Sequence, residues 1–147
     1  MYETVKLLHS GLRFIILLLI AIAIIQALAG WFGRKNYTGF NRKINLFTMV
    51  SGHVQFLLGL ILYFLSPFVK YNDMGNAMKD GVSRYWTVEH AVLMIFALVL
   101  LTVGHSKSKK VADPWLKHRT IAIFYGIAAI VVLLAIYQSG RPLLGVS

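Results

Sequence analysis

The chain has 147 residues, 58% of them hydrophobic and only 14% charged, with a mean hydropathy of +0.69. A soluble domain of this size cannot cover that much apolar surface, so the composition implies one integral membrane domain with no room for a separate soluble one. The net charge of +10 comes from Lys and Arg clustered between hydrophobic runs, as topology signals are, which argues against nucleic-acid binding. The absence of cysteine excludes disulfides, thiolate metal sites and covalent attachment of a c-type haem.

Four apolar runs of about 20 residues or more follow, each long enough to cross a hydrocarbon core. The first extends from about Leu7 to Phe32 and reads as a retained helix, because it is too long for a cleaved signal and no small-residue cleavage site follows it. The second extends from about Ile44 to Phe68, with Pro67 ending or kinking it, the third from about Tyr85 to Gly104, and the fourth from about Leu116 to Tyr137. Asp113 and Pro114 read as an N-cap followed by proline at the first helical position. Trp31, Phe32, Tyr71, Tyr85, Trp86, Trp115 and Tyr137 lie near the span ends, where an interfacial aromatic belt belongs.

Basic residues set the orientation. Arg34, Lys35, Arg42 and Lys43 fill the first connection, and Lys107, Lys109, Lys110, Lys117 and Arg119 the third, whereas the second mixes Lys70, Lys79 and Arg84 with Asp73 and Asp80. The two strongly basic connections belong in the cytoplasm. The expected fold is therefore an all-α integral membrane four-helix up-down bundle, spans 7–32, 44–68, 85–104 and 116–137, with both termini extracytoplasmic. The loop from Val69 to Arg84 is then the only sizeable outer segment, and its Asn72 to Met78 stretch carries turn chemistry.

Histidine is the informative residue. His9, His53, His90 with His105, and His118 place at least one imidazole at or inside every span. Ionisable side chains in hydrocarbon are costly and usually serve a proton, an ion or a bound metal. His9 and His90 both lie a few residues inside the outer ends of the first and third spans. In an up-down bundle those helices sit diagonally, so two level imidazoles are placed to grip opposite faces of a haem. Two neutral imidazoles leave no open iron position, which suits electron transfer. Arg13, one turn beyond His9, is placed to meet a propionate, Glu89 to orient a ligand imidazole or pair with a basic neighbour, and Gly11 to admit a bulky ring.

His53 and His118 lie on the other diagonal. Their nominal depths differ by roughly 8–12 Å, a gap that shifted helix ends would narrow, and they define a possible second, inner haem with Gly52 giving it room. His105, about 22 Å along the axis from His90, is an alternative partner. His105 and His118 also adjoin basic residues and read equally well as solvated histidines at the border, while His53, near Gln55, reads also as an interhelical hydrogen-bonding group.

Leu8 to Arg13, Ser51 to Gln55, Trp86 to His90, and Lys117 to Arg119 together resemble the small four-helix membrane proteins of Bacteroidota-type bacteria known as cytochrome b. More distantly, the bundle is similar to cytochrome b561 proteins and to the halves of haem A synthase. The resemblance spans nearly the whole chain. It implies one or two b-type haems held by helix histidines, a place in the bacterial inner respiratory membrane, and electron exchange with a quinone or a partner protein. The chain departs from dihaem cytochromes b in having only one span with a widely spaced histidine pair. An electron carrier is the expected class; a non-haem structural or assembly subunit of a larger membrane complex is the alternative. Transport, nucleotide redox chemistry and hydrolytic catalysis lack their signatures: no mid-span acid, no Gly-rich dinucleotide turn, no paired carboxylates.

Overall fold

The computed structural model describes residues 2–65 and 88–139, and within them the chain is four helices: α1 (Tyr2–Phe32), α2 (Gly39–Leu65), α3 (His90–Lys110) and α4 (Pro114–Ser139). All four are long and apolar enough to cross a membrane. The expectations on Pro67, on the Val69 to Arg84 loop and on Tyr71, Tyr85 and Trp86 lie outside the described residues.

Three helix boundaries differ from the sequence expectation. α2 begins at Gly39, earlier than Ile44, because Thr38 and Asn41 form a reciprocal cap. The Asn41 backbone N–H donates to Thr38 Oγ1 (3.2 Å), and the Thr38 N–H and hydroxyl both donate to Asn41 Oδ1 (3.0 and 2.9 Å). α3 runs past Gly104 to Lys110, because that glycine is a packing contact rather than a helix end: a Cβ there would lie 2.5 Å from the Phe124 Cβ. α1 begins at Tyr2 rather than near Leu7.

The connections are tight. α1 closes with Arg34 in the left-handed region (φ 48°) and with Lys35 N–H donating to the Gly30 carbonyl at 3.0 Å, the six-to-one bond of a Schellman turn. α4 starts at Pro114, with the N–H groups of Leu116 and Lys117 both donating to the Asp113 carbonyl at 3.1 Å. Both connections lie at one end of the bundle, since His118 just after the second touches Asn36 in the first. This basic end carries most of the cations named above; the opposite end is called distal.

Helices α1 and α2, α2 and α3, α3 and α4, and α4 and α1 pack as neighbours, leaving α1 and α3 on one diagonal and α2 and α4 on the other. Each helix turns a stripe at three- and four-residue spacing toward the others. On α1 it is Val5, His9, Ile16, Ile20, Ala23 and Ala27; on α3 it is His90, Ala97, Leu101, Gly104 and Ser108; on α4 it is His118, Ile121, Tyr125, Ala128 and Ala135. The core gathers around Ala23, Ala27, Leu101, Ile121 and Tyr125. Alanines there let the helices approach closely, which is how helices associate where lipid is as apolar as leucine.

On α2 the polarity is inverted. Its stripe at that spacing, Asn45, Thr48, Gly52, Gln55 and Gly59, is small and polar, while Phe47, Val50, Val54, Leu57, Ile61 and Phe64 are exposed. In water that arrangement would be unstable; in a bilayer the apolar face meets acyl chains and the polar face finds partners inside.

Candidate functional site

Close packing is confined to part of the molecule. The buried residues of α2 are Asn45 and Thr48, both in its basic half, and those of α3 begin only at Ala97. The distal halves of α2 and α3 therefore hold no fully buried residue, although α2 still meets α1 there through Gln55 and Gly59. His9, Gln55, Gly59 and His90 lie in this distal half.

His9 sits on the inward stripe of α1 and is half-buried. Its Nε2 lies 3.6 Å from where a Cβ would stand at Gly59, so the ring occupies space left by that missing side chain. Among the described residues no hydrogen bond is made to the ring; the only bond at His9 is to its backbone, where Gln55 Nε2 donates to the carbonyl at 2.9 Å. Gln55 Oε1 is buried without a hydrogen-bond partner. His90 opens α3 on that helix's inward stripe, directly after a π turn at Val88 and Glu89.

The contacts around the bundle give the relative depth of these two histidines. Gly30 packs on His118, so His9 is level with Ser139 at the far end of α4, and the contact of Gly104 with Phe124 carries that level to residue 89 of α3. Through α2, His9 meets Gly59 while His53 bonds Thr102, which brings the same level to residue 96. His90 thus lies within about 9 Å of His9 along the axis at a rise of about 1.5 Å per residue, on the opposite diagonal helix.

The remaining proposed contacts divide. Arg13 is half-buried with its guanidinium 5.1 Å from the centre of the Phe14 ring. Gly11 is exposed, and a Cβ there would meet nothing within 4 Å, so it provides no inward approach for a ring, and the space at Gly59 is taken by the His9 imidazole itself. Gly52 is occupied by leucines, with a Cβ there 3.3 Å from Leu101 Cδ1 and 3.4 Å from Leu98 Cδ1.

His53 and His118 do not converge. His53 is exposed on the α2–α3 seam, where its Nε2 lies 3.0 Å from Thr102 Oγ1. Thr102 spends its own proton on the Leu98 carbonyl at 2.8 Å, so its oxygen accepts and His53 Nε2 carries the hydrogen. His118 is 2% exposed, and its Nε2 lies 3.0 Å from the Asn36 carbonyl, which only accepts. In both rings the outer nitrogen is therefore a committed donor with no lone pair for iron. Tyr125, fully buried, fills the space between α4 and α2, with its hydroxyl donating to the Asn45 carbonyl at 2.7 Å. The inner pair does not fit a haem.

At the basic end the structure has a polar network that sequence reading missed. Asn45 Nδ2 donates to Tyr37 Oη at 2.8 Å, the Tyr37 ring meets the His118 ring edge-on at 5.2 Å, and Lys117 Nζ donates to the Ser108 and Lys109 carbonyls at 2.8 and 3.3 Å. The lysine satisfies carbonyls at the end of α3 that its helix leaves open. His105 is 2% exposed inside α3, overturning its reading as a solvated residue at the border, and its Nδ1 has no hydrogen-bond partner among the described residues. The burial of His118 overturns that same reading for it. The Thr38 to Asn41 spacing was a readable signal for the cap; the Tyr125 to Asn45 bond had none, because it joins residues 80 apart. Among the described residues, no cluster of three or more His, Cys, Asp or Glu side chains is placed to hold a metal ion. Comparison with protein-family models, with curated proteins and with solved structures finds no match to this chain.

Proposed function

We propose that this chain is an electron carrier of the bacterial cytoplasmic membrane that holds one b-type haem in its distal half, with His9 and His90 as the residues that would hold it. The observation that supports it best is the contrast between histidines. His53 and His118 commit their outer nitrogens to protein acceptors, whereas His9 faces inward with an uncommitted ring opposite a glycine, within about 9 Å in depth of His90 on the diagonal helix. The basic end faces the cytoplasm by the positive-inside rule, which puts the distal half and both termini outside.

A haem held there would supply a one-electron couple. The chain's own residues do the rest. His9 and His90 would hold the group between α1 and α3. Arg13, one turn from His9, places a positive charge beside the site that favours carboxylates there and the reduced state of the pair. Ile16 and Ile20, buried on the same stripe below it, keep water from the core. A quinone or a respiratory partner protein exchanges the electron.

The test is an optical spectrum and a haem count on the detergent-purified protein. One b-type haem per chain is expected, lost in His9→Ala and His90→Ala and kept in His53→Gln and His118→Gln. A haem-free protein, or a full low-spin spectrum in His90→Ala, would falsify the assignment; the first result leaves the chain a non-haem subunit of a larger membrane complex.

A further inference from the structure

A recess of about 250 Å³ opens at the basic end, away from the haem site proposed above. Its lining comes from three parts of the fold: Gln26 and Gly30 on α1, Lys35 and Asn36 in the first connection with Thr38 and Asn41 at the start of α2, and His118 from α4. The volume lies below the roughly 300 Å³ at which sites for drug-sized ligands begin, so it suits a headgroup and not a macrocycle.

The donors and acceptors in it are set by bonds already described. Asn41 Oδ1 takes both the N–H and the hydroxyl of Thr38, which leaves the Asn41 amide nitrogen to donate outward. Lys35 adds an ammonium at the exposed mouth. Gln26 lies one turn closer to the bilayer centre than Gly30, about 6 Å deeper, and its Oε1 is buried without a hydrogen-bond partner. Turning that amide over presents an N–H at the same place, so the deep position serves a donor or an acceptor. His118, level with Gly30, lines one side.

We infer that this recess binds the phosphate of an anionic glycerophospholipid from the cytoplasmic leaflet. The phosphate oxygens meet Lys35 and the Asn41 amide, and the ester region below them meets Gln26. Charge favours an anionic lipid: Arg34, Arg42, Lys43, Lys117 and Arg119 surround this end of the bundle, with Asp113 the single acid among them in sequence. Basic pockets between helices at this level are where anionic lipid heads gather. Ile25 and Phe40, each adjoining a lining residue and 67% and 64% exposed, flank the opening with apolar surface for the acyl chains. A free phosphate offers the same oxygens but nothing for Gln26 or for those apolar flanks.

The experiment measures thermal unfolding by tryptophan fluorescence in detergent, with added phosphatidylcholine, phosphatidylglycerol or inorganic phosphate. Phosphatidylglycerol should raise the wild-type midpoint above the phosphatidylcholine value, and inorganic phosphate at the same concentration should not. Lys35→Gln and Gln26→Leu should each lose at least half of that increment while melting with wild type when no lipid is added. Lys43→Gln, which removes a charge of the same border outside the recess, should keep it. A Gln26→Leu variant that melts early without lipid is replaced by Gln26→Met, read by the phosphatidylglycerol that native mass spectrometry finds retained on the protein. Equal increments in wild type and Lys35→Gln, an equal loss in Lys43→Gln, or a full increment from inorganic phosphate would each overturn the inference.

Discussion

Gly30 is the position where one added carbon should do most damage at the basic end. A Cβ there overlaps the His118 ring, whose nearest atoms are Cδ2, Cγ and Nε2, so Gly30→Ala must push the imidazole off α1 and break its bond to the Asn36 carbonyl. Overpacking of this kind costs about 1–3 kcal/mol. The lost hydrogen bond adds about 0.5–1.5 kcal/mol. Alanine returns about 1 kcal/mol through its better helix propensity. The net destabilisation is about 0.5–3.5 kcal/mol, which at roughly 2–4 °C per kcal/mol lowers the melting temperature by about 1–14 °C. Trp31 and Trp115 lie at this end, so intrinsic fluorescence during a thermal ramp reads the change directly. Gly11→Ala is the matched control: the site is exposed and open, and the same propensity gain should leave that variant at or slightly above wild type. If Gly30→Ala melts together with wild type, His118 does not pack on α1 as described and the recess beside it has a different wall.

Other substitutions probe separate contacts. Gly104→Ala sets a Cβ 2.5 Å from that of Phe124, and overpacking of about 1–3 kcal/mol less about 1 kcal/mol of helix propensity should lower stability by up to about 2 kcal/mol in the same assay. Tyr125→Phe removes only the hydroxyl that binds the Asn45 carbonyl, so a loss of about 0.5–1.5 kcal/mol is expected, and an unchanged midpoint would show that the bond contributes nothing. Arg34 holds a left-handed φ of 48° while its guanidinium lies 4.8 Å from the centre of the Trp115 ring. Arg34→Gly releases about 1 kcal/mol of strain and forfeits about 0.5–1 kcal/mol of ring contact, so it should be near neutral. Arg34→Ala keeps the strain and loses the contact, and must rank below the glycine variant. His53→Gln retains a donor for Thr102 and should leave both the fold and the haem content unchanged; loss of haem in it would place a ligand on α2.

The heptad spacing that turns His9 and His90 inward is present in the sequence, since His9 stands seven residues before Ile16 and His90 seven before Ala97. Depth and diagonal placement pair the two residues, and the spacing supplies the facing that those two lack. The same periodicity places His118 seven residues before Tyr125 and so signals its burial. Cationic neighbours made that residue resemble a solvated end, because charge near a span boundary marks the boundary and not the side of the helix. For His53 and His118 as a pair, no local pattern reports that each imidazole has found another acceptor.

By itself the sequence determined the membrane class, the four spans and the basic end, because apolarity and charge act additively along a local stretch of chain and need no knowledge of the neighbours. It also located helix ends where the stop is covalent or nearly so, as at Asp113 and Pro114. Only the tertiary structure decided which imidazoles are committed. The bonds of His53 to Thr102 and of His118 to Asn36 join residues 49 and 82 apart, and a hydrogen bond is chosen by which donors and acceptors packing brings within about 3 Å. It likewise decided that Gly104 is a contact and not a stop, since the side chain that needs the space, Phe124, belongs to the next helix.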